Sequence, residues 1–370
     1  MSAIKPTAIK SSPGKPSAEK PAGKKAAKKA PARPAKKEAP AASANDENLA
    51  PVATQKTHRP LAVVAFGGNA LLRPEDDGTV AEQLRRSEGA AVWLADFARR
   101  GYDLVCVHGN GPQVGQVLIQ MEEAAAKVPP GTVDFAVAET EGGMGYLLEL
   151  AIRNRLASQH IKRQLATVLT LVTVNRDDPA FRAPSKPIGP FFARHRALEL
   201  QRRLRWKMVE DSGRGWRKVV PSPRPLEIVN VAAVRSLLDH GHLVIAGGGG
   251  GIPVVRKGSG RLVGVEAVID KDRTSALLAR DLKADLFILL TGVPQVVKNF
   301  GRKDQEPLLI LPLSEARRLL DKGQFPAGSM GPKIESAIDF VSATGRPALI
   351  TNIEHLEAAL EGESGTRIVP

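Results

Sequence analysis

Three lysines stand in turns whose residue types suit phosphate chemistry. Lys271 lies between two aspartates at a predicted helix start, and Lys186 lies in a loop stiffened by prolines. Lys333 ends the string Gly328-Ser-Met-Gly-Pro-Lys333, in which the proline suits the first turn of a helix. Phosphoryl transfer needs mainly alignment and charge neutralisation, and lysines with backbone N–H donors supply both beside a metal ion. Most lysines are solvated surface charges, but lysines in such turns are candidates for binding a phosphoryl group.

Glycine-rich turns follow three apolar runs of the sequence. The turns are Gly67-Gly68-Asn69 after residues 61–66, Gly109-Asn110-Gly111 after 104–107, and 247–251 after 243–246. Glycine lets backbone N–H groups approach an anion closely, and a following helix adds a favourable dipole. One such turn would be weak evidence, whereas three in succession indicate phosphate binding. The turns match neither a Walker A loop nor a dinucleotide-binding fingerprint, because Pro112 interrupts the glycine pattern of the second turn.

The elements that must position these turns alternate between strand and helix. The predicted strands are apolar at every position, which is typical of a parallel sheet covered on both faces; they are 61–66, 104–107, 166–172, 243–246, 286–290 and 347–350. The predicted helices are 79–100, 142–158, 230–239, 271–282, 313–321 and 330–343. This order predicts an α/β protein with a mostly parallel central sheet, at whose carboxyl edge ligands bind.

The composition excludes several classes of protein. The chain of 370 residues is 42% hydrophobic, and none of its apolar runs approaches the roughly 18 residues that a membrane helix needs. Cys106 is the single cysteine, which excludes a disulfide framework and a cysteine-rich zinc site. We therefore predict a protein of the reducing cytoplasm that does not span a membrane.

Residues 1–56 differ from the rest of the chain. They carry a net charge of +8 out of the total of +14, and they contain no aromatic residue. The segment lacks the apolar surface to offset its ordering entropy, so we predict a disordered tail rich in lysine, alanine and proline. A solubilising extension and weak, salt-sensitive contact with a polyanion both remain open, and a transit peptide is disfavoured because the segment is rich in lysine rather than arginine and serine.

From residue 61 to about 355 the sequence resembles carbamate kinase, a member of the amino acid kinase superfamily. The glycine-rich matches are shared across the superfamily, whereas Lys186-Pro-Ile-Gly-Pro-Phe191 and Gly213-Arg-Gly-Trp-Arg-Lys218 look particular to carbamate kinases. The other matching strings are Ala65-Phe-Gly-Gly-Asn-Ala70, His108-Gly-Asn-Gly-Pro-Gln-Val-Gly115, Gly248-Gly-Gly-Gly-Ile-Pro-Val-Val255, Gly264-Val-Glu-Ala-Val-Ile-Asp-Lys-Asp272 and Gly328-Ser-Met-Gly-Pro-Lys-Ile-Glu335.

The resemblance implies reversible phosphoryl transfer between ADP and carbamoyl phosphate, giving ATP and carbamate, with Mg²⁺ but without a metal ligand from a protein side chain. By position, Asp272 would hold Lys271 and Lys333 in place, and these two lysines with Lys186 would neutralise charge. The implied phosphoryl-binding residues are Gly67, Gly68, Asn69, Gly248 and Gly249. Those at the carbamate end are Gly109, Asn110 and Gly111. The implied nucleotide-binding residues are Thr291, Gly292, Val293, Val296, Gly328, Ser329 and Met330.

The resemblance also implies an organisation for residues 57–370. A three-layer αβα sandwich would hold carbamate in its first half, about 57–240, and the nucleotide in its second half, about 241–370. Residues 176–222 would form a small protruding subdomain that closes over the acyl phosphate through Lys186. Members of the family are homodimers, and the family implies a place in arginine catabolism.

Two other kinds of function stay open at this point. A related enzyme of the superfamily would phosphorylate acetylglutamate, glutamate or a uridine nucleotide instead. A basic nucleic-acid-associated protein could use the kinase core as a scaffold, although the tail has no aromatic residue for base stacking. The intact set of Lys186, Lys271, Asp272 and Lys333 disfavours such a scaffold.

Overall fold

The structure, a computed structural model, describes residues 59–67, 71, 76–211, 213–326 and 328–370. The prediction for residues 1–56 therefore lies outside the described residues. The helices are α1 Val80–Arg99, α2 Gly111–Ala124, α3 Val133–Ser158, α4 Arg194–Leu204, α5 Val231–Asp239, α6 Lys271–Leu282, α7 Leu313–Asp321, α8 Met330–Thr344 and α9 Leu356–Glu361.

The strands form one large sheet and three smaller ones. In chain order they are β1 Leu61–Phe66, β2 Asp103–His108, β3 Leu165–Val168, β4 Leu171–Val174, β5 Lys186–Phe192, β6 Met208–Glu210, β7 Trp216–Val220, β8 Pro225–Ile228, β9 Leu243–Ala246, β10 Ile252–Arg256, β11 Leu262–Gly264, β12 Leu286–Leu290, β13 Val296–Lys298, β14 Glu306–Leu308, β15 Ile310–Pro312, β16 Ala348–Thr351 and β17 Thr366–Val369. None of the helices in the described parts of the chain is long and apolar enough to cross a membrane.

The large sheet has the order β15-β17-β16-β12-β1-β2-β9-β3. All its neighbouring strands are parallel except β16 and β17, so the prediction of a mostly parallel sheet is confirmed. The order places β1, β2 and β9 side by side. The glycine-rich turns after β2 and β9 therefore lie at the edge of the sheet where β1 ends at Phe66.

Helices cover both faces of this sheet, and β1 shows why its sequence is apolar throughout. Ala62 and Val64 pack in a cluster with side chains of α1, α3 and α9. Val63 and Ala65, which point to the opposite face, pack with side chains of α5, α6, α7 and α8. Both sets of β1 side chains are fully buried. The predicted three-layer αβα sandwich is confirmed.

Three smaller sheets surround this core. One has the order β11-β10-β4-β8, and β13 pairs with β14 in a two-stranded sheet. The third, here called the β5–β7–β6 sheet, lies within the segment predicted as a subdomain and is antiparallel. Arg217 of β7 supports this sheet, since its Nε donates to the Gly189 carbonyl at 2.9 Å and its Nη1 contacts Asp211. The string Gly213–Lys218, which looks particular to carbamate kinases, thus contributes the first residues of β7 to this sheet.

Three sequence predictions about elements were wrong. Lys186, predicted in a loop, is the first residue of β5. The single strand predicted over 166–172 is two strands, because β3 joins the large sheet and β4 joins a smaller one. Thr170 lies in the break, where its hydroxyl accepts a hydrogen bond from Gly247 N at 2.8 Å, and its N–H points to Glu141. The helix predicted over 142–158 begins earlier, because α3 runs from Val133 to Ser158. Gly145 permits this helix, since a Cβ there would overlap the Thr167 side chain.

Candidate active site

The turn after β9 requires glycine at several positions. Gly247 and Gly249 have φ of 66° and 68°, in the left-handed region that favours glycine. A Cβ at Gly248 would overlap the His108 ring, and one at Gly249 would overlap the Asn110 amide. The turn after β9 is therefore packed directly on the turn after β2.

Asn110 lies between these two turns and is almost completely buried, with 2% of its surface exposed. Its Nδ2 donates to the Thr140 hydroxyl of α3 at 2.8 Å. Gly109 N donates to the Phe66 carbonyl at 2.9 Å, which joins the turn after β2 to the end of β1. Gly67 follows Phe66 directly, whereas Gly68 and Asn69 lie outside the described residues.

Asp272 brings two of the predicted catalytic lysines together. Lys271 Nζ donates to Asp272 Oδ1 at 2.6 Å, and Lys333 Nζ donates to Asp272 Oδ2 at 2.8 Å. Lys271 is the first residue of α6, and Lys333 lies in the first turn of α8. The positive ends of two helix dipoles and two ammonium groups thus meet at one carboxylate.

The charges of Lys271, Asp272 and Lys333 determine the pKa values of these three side chains. Burial alone would raise the pKa of Asp272, but Lys271 and Lys333 outweigh burial and hold that pKa below its usual value. Burial would lower the pKa of Lys271, but the two neighbouring aspartates outweigh it and raise that pKa. Burial and the charge of Lys271 lower the pKa of Lys333, against the opposing effect of Asp272. Asp272 is therefore ionised and holds the lysines in place.

Lys186 reaches the same group from β5, the first strand of the β5–β7–β6 sheet. Its Nζ lies 3.0 Å from Asp270 Oδ2 and donates to the Ile269 carbonyl at 3.2 Å. Asp270 also caps α6, because its Oδ1 accepts a hydrogen bond from Asp272 N at 2.9 Å. Burial opposes ionisation of Asp270, but Lys186 and Lys271 outweigh burial and depress its pKa. Three lysines against two aspartates leave a net positive charge that suits an anionic substrate.

The lysine group lies against the turn after β9. Thr274, one turn into α6, donates from its hydroxyl to the Gly250 carbonyl at 2.8 Å. A Cβ at Gly250 would overlap the Ile269 carbonyl, which is the same oxygen that Lys186 contacts. The structure thus brings Lys186 and the start of α6, with Lys271 and Asp272, against Gly250, which lies in the same turn as Gly248 and Gly249.

Behind the glycine turns lie two buried titratable side chains, Glu141 and His108. Glu141 Oε1 accepts hydrogen bonds from Gly248 N at 3.0 Å and from Thr170 N at 3.2 Å. Burial raises the pKa of Glu141 to about 8, although these N–H donors oppose the shift. Burial lowers the pKa of His108 to about 4. The Gly248 N–H, predicted as a phosphoryl donor, therefore already binds Glu141.

The predicted nucleotide residues lie at two loops. Thr291 follows β12, and its N–H donates to the Thr351 carbonyl at 2.8 Å. Thr291 and Val293 are half-buried and Gly292 is exposed, whereas the Val296 side chain packs in the core. In the second loop Gly328 and Ser329 are exposed and Met330 begins α8. The Asn299 N–H, three residues after Val296, donates to Oε1 of Gln324, four residues before Gly328, at 3.2 Å.

Sequence reasoning missed three residues of this site. Asp270 was seen only as a neighbour of Lys271, although an aspartate before a helix start is a recognisable cap. Thr140 and Glu141 gave no such signal, because their partners Asn110 and Gly248 are 30 and 107 residues away in the sequence. Within the described residues, no group of three or more His, Cys, Asp or Glu side chains could hold a metal ion.

Comparisons with known proteins identify the family of this chain. The amino acid kinase family model matches residues 60–352. The carbamate kinase of Thermococcus kodakarensis is 42% identical over 310 residues, which cover 83% of this chain and 98% of that protein. The carbamate kinase of Clostridium perfringens is 43% identical over 312 residues, covering 83% and 99%.

Comparison with solved structures also finds carbamate kinases. The carbamate kinase of Giardia lamblia bound to citric acid superimposes with a TM-score of 0.81 at 38% identity, covering 84% of this chain and 99% of that one. The same enzyme bound to AMP-PNP gives a TM-score of 0.78 at 39% identity, with the same coverage of both chains. This chain therefore belongs to the amino acid kinase family, and within it to the carbamate kinases.

Proposed function

We propose that this protein transfers a phosphoryl group reversibly between carbamoyl phosphate and ADP, giving carbamate and ATP. The observation that carries the proposal is the pair of ammonium groups on Asp272 at the start of α6, the helix whose Thr274 contacts the turn after β9. Carbamate kinases that are about two-fifths identical over nearly their whole length support it.

In this mechanism a carboxylate oxygen of carbamate attacks the γ-phosphorus of ATP, and ADP leaves with the electron pair of the broken P–O bond. Carbamate is already an anion, so no general base is needed. Lys271 and Lys333 would neutralise charge on the oxygens of the transferring group, and Lys186 would contact the carbamoyl phosphate end. Asp272 is an orienting group, since its oxygens bind both ammonium groups. The enzyme forms no covalent intermediate.

The three glycine turns and the two loops would bind the rest of the substrates. The turn after β2, Gly109–Gly111, would border the carbamate end, and Gly67–Asn69 with Gly248 and Gly249 would surround the phosphoryl group. The first loop, with Thr291, Gly292, Val293 and Val296, would lie on one side of the nucleotide, and Gly328–Met330 on the other. The AMP-PNP complex of the Giardia lamblia enzyme supports a nucleotide site in this fold.

We further propose that Mg²⁺ enters with the nucleotide. The carboxylates of Asp270 and Asp272 both bind lysines, and the described residues offer no cluster of metal ligands. Mg²⁺ prefers to keep several waters and to bind the phosphates of a nucleotide through few protein carboxylates. It is therefore part of the substrate, as MgADP or MgATP.

The proposals about assembly and location rest on the family. We infer a cytoplasmic homodimer that acts in arginine catabolism. Exposed apolar side chains of α1 and α3, Val92, Phe135 and Tyr146, offer apolar surface for a dimer. Light scattering after gel filtration would test the dimer.

Comparing salt-dependent retention on heparin with and without residues 1–56 would test weak polyanion contact through the tail.

A coupled assay tests the activity. We expect the purified protein to make ATP from MgADP and carbamoyl phosphate, and to consume ATP when carbamate is supplied. Acetylglutamate, glutamate and uridine monophosphate serve as alternative acceptors with ATP. Activity with one of these acceptors and none with carbamoyl phosphate would contradict the proposal.

A further inference from the structure

The Asn110 amide is the contact between the two glycine turns. Asn110 stands in the turn after β2, and its side chain lies where a Cβ of Gly249 would otherwise stand, in the turn after β9. The spacing of these turns therefore depends on how the amide is held. The proposed function places carbamate at the first turn and the phosphoryl group at the second, so this spacing must match the distance between the two ends of carbamoyl phosphate.

Thr140 determines the orientation of that amide. Its hydroxyl lies 2.8 Å from the Ala136 carbonyl and 3.0 Å from the Val137 carbonyl, so its single proton is donated within α3. The hydroxyl oxygen is then an acceptor towards Asn110, whose Nδ2 lies 2.8 Å away. The amide nitrogen consequently faces α3. All the atoms of this chain of hydrogen bonds belong to residues that are almost completely buried, so water does not readily replace them.

The next residue of the same helix fixes the other turn. Glu141 accepts from Gly248 N at 3.0 Å and from Thr170 N at 3.2 Å. Thr170 in turn accepts from Gly247 N at 2.8 Å. Consecutive residues of α3 thus hold the turns after β2 and β9, and α3 cannot shift relative to one turn without disturbing the other.

We propose that Thr140 is a positioning residue for phosphoryl transfer, which acts through the Asn110 amide to set the spacing between the turns after β2 and β9. It touches neither substrate. The inference rests on the proposed function, because it assigns the two turns to the two ends of carbamoyl phosphate. Nothing in the local sequence indicates this role, since Thr140 lies inside a helix.

The test is a double-mutant cycle between Thr140→Val and Asn110→Ala, with ATP synthesis from MgADP and carbamoyl phosphate as the readout. Valine keeps the shape of threonine and removes the acceptor. We expect Thr140→Val alone to lower kcat/KM for carbamoyl phosphate about tenfold, with KM for ADP changed less than about twofold. In the Asn110→Ala background the same change should add less than about twofold. Thr140→Ser, which keeps the hydroxyl, should restore at least half of the wild-type value.

Thr344→Val is the matched control, because Thr344 also donates to the carbonyl four residues earlier, at 2.8 Å, but lies at the far end of α8. Thermal melting verifies that each variant is folded. If Thr140→Val lowered kcat/KM by the same factor with Asn110 and with Asn110→Ala, the proposal would be overturned. It would also be overturned if Thr140→Ser lowered kcat/KM as much as Thr140→Val does. A wild-type protein without carbamoyl phosphate activity would instead contradict the proposed function, before any variant is compared.

Discussion

Lys271 and Lys333 bind opposite oxygens of the Asp272 carboxylate from the first turns of two different helices. The two N–O distances are 2.6 and 2.8 Å, and 13% and 12% of the two lysine side chains are exposed. Neither ammonium group can leave Asp272 without separating charges at a largely buried position. The arrangement therefore fixes both cations before a substrate arrives, which is the condition for electrostatic stabilisation of a transition state.

We expect Lys333→Met to lower kcat about 10² to 10³-fold in both directions, because both reactions pass through one transition state. KM for ADP should change less, since contacts with adenine and the α-phosphate remain. Initial rates of ATP synthesis and ATP consumption would measure this. The control is Lys322→Met, at an exposed position after α7. A folded Lys333→Met enzyme with more than about a tenth of the wild-type turnover would show that Lys333 lies outside the catalytic group.

Lys186→Ala should impair the use of carbamoyl phosphate more than the binding of ADP. Lys186 belongs to β5 of the β5–β7–β6 sheet, and its Nζ lies 3.0 Å from Asp270 Oδ2, whereas Thr291 follows β12 of the large sheet. We expect kcat/KM for carbamoyl phosphate to fall at least about tenfold while the dissociation constant of ADP, measured by calorimetry, stays within about twofold. Lys257→Ala, which removes an exposed lysine, is the control. If the use of carbamoyl phosphate and the binding of ADP were impaired equally, Lys186 would not lie at the carbamoyl phosphate end of the site.

Gly115→Ala should separate α2 from the β5–β7–β6 sheet. A Cβ at Gly115 would overlap the backbone of Gly189, whose φ of 74° leaves little freedom to retreat. We expect the free energy of unfolding to fall by about 1–3 kcal/mol, as in overpacked cores. Carbamoyl phosphate turnover should fall too, because β5 carries Lys186. Gly89→Ala in α1, where a Cβ meets open space, should leave stability unchanged or raise it by about 0.5–1 kcal/mol in denaturant titrations. Equal stabilities of the two variants would contradict the close contact.

Glu141 should make stability fall as pH rises. Its pKa is raised from 4.5 to about 8, so the folded protein keeps a proton that the unfolded chain releases. This contribution is fully present below pH 4.5 and is lost as pH approaches 8. The free energy of unfolding of the wild type, relative to Glu141→Gln, should therefore decrease by up to about 1.4 kcal/mol per pH unit in this window.

Urea titrations across that window would measure the difference between the two proteins. His108 has the opposite sign, since its pKa is lowered from 6.5 to about 4 and its contribution is lost as pH falls through that range. His108 is present in both proteins, so its contribution largely cancels in the comparison. Parallel stability curves for wild type and Glu141→Gln would mean that Glu141 keeps an ordinary pKa when folded.

Much of the large sheet could be predicted because its signals are local. A strand covered on both faces must be apolar at every residue, so 61–66, 243–246 and 286–290 were placed to the residue. The helix starts at Lys271 and Met330 were likewise marked by nearby aspartate and proline. Lys271 and Lys333 followed from these starts.

Other parts could not be predicted because their causes are distant in the sequence. The run 166–172 is locally uniform, and its division between two sheets depends on Glu141 and Gly247, which bind Thr170 across the fold. The glycines of 142–145 imitate a turn, yet they allow α3 to lie close to β3. The resemblance implied that Asn110 lies at the carbamate end, whereas its contacts with Thr140 and Gly249 come from distant parts of the chain.

The position of β1 in the large sheet also affects how the chain folds while it is being synthesised. β1 pairs with β2, which follows it closely, and with β12, in which Leu286 lies opposite Ala62. Leu61 N also donates to Asp285, 224 residues later. At about 5–20 residues per second, a ribosome needs roughly 11 to 45 seconds to synthesise that interval. Throughout that time one edge of a wholly apolar strand has no partner, so the growing chain exposes a surface to which chaperones bind or other nascent chains aggregate.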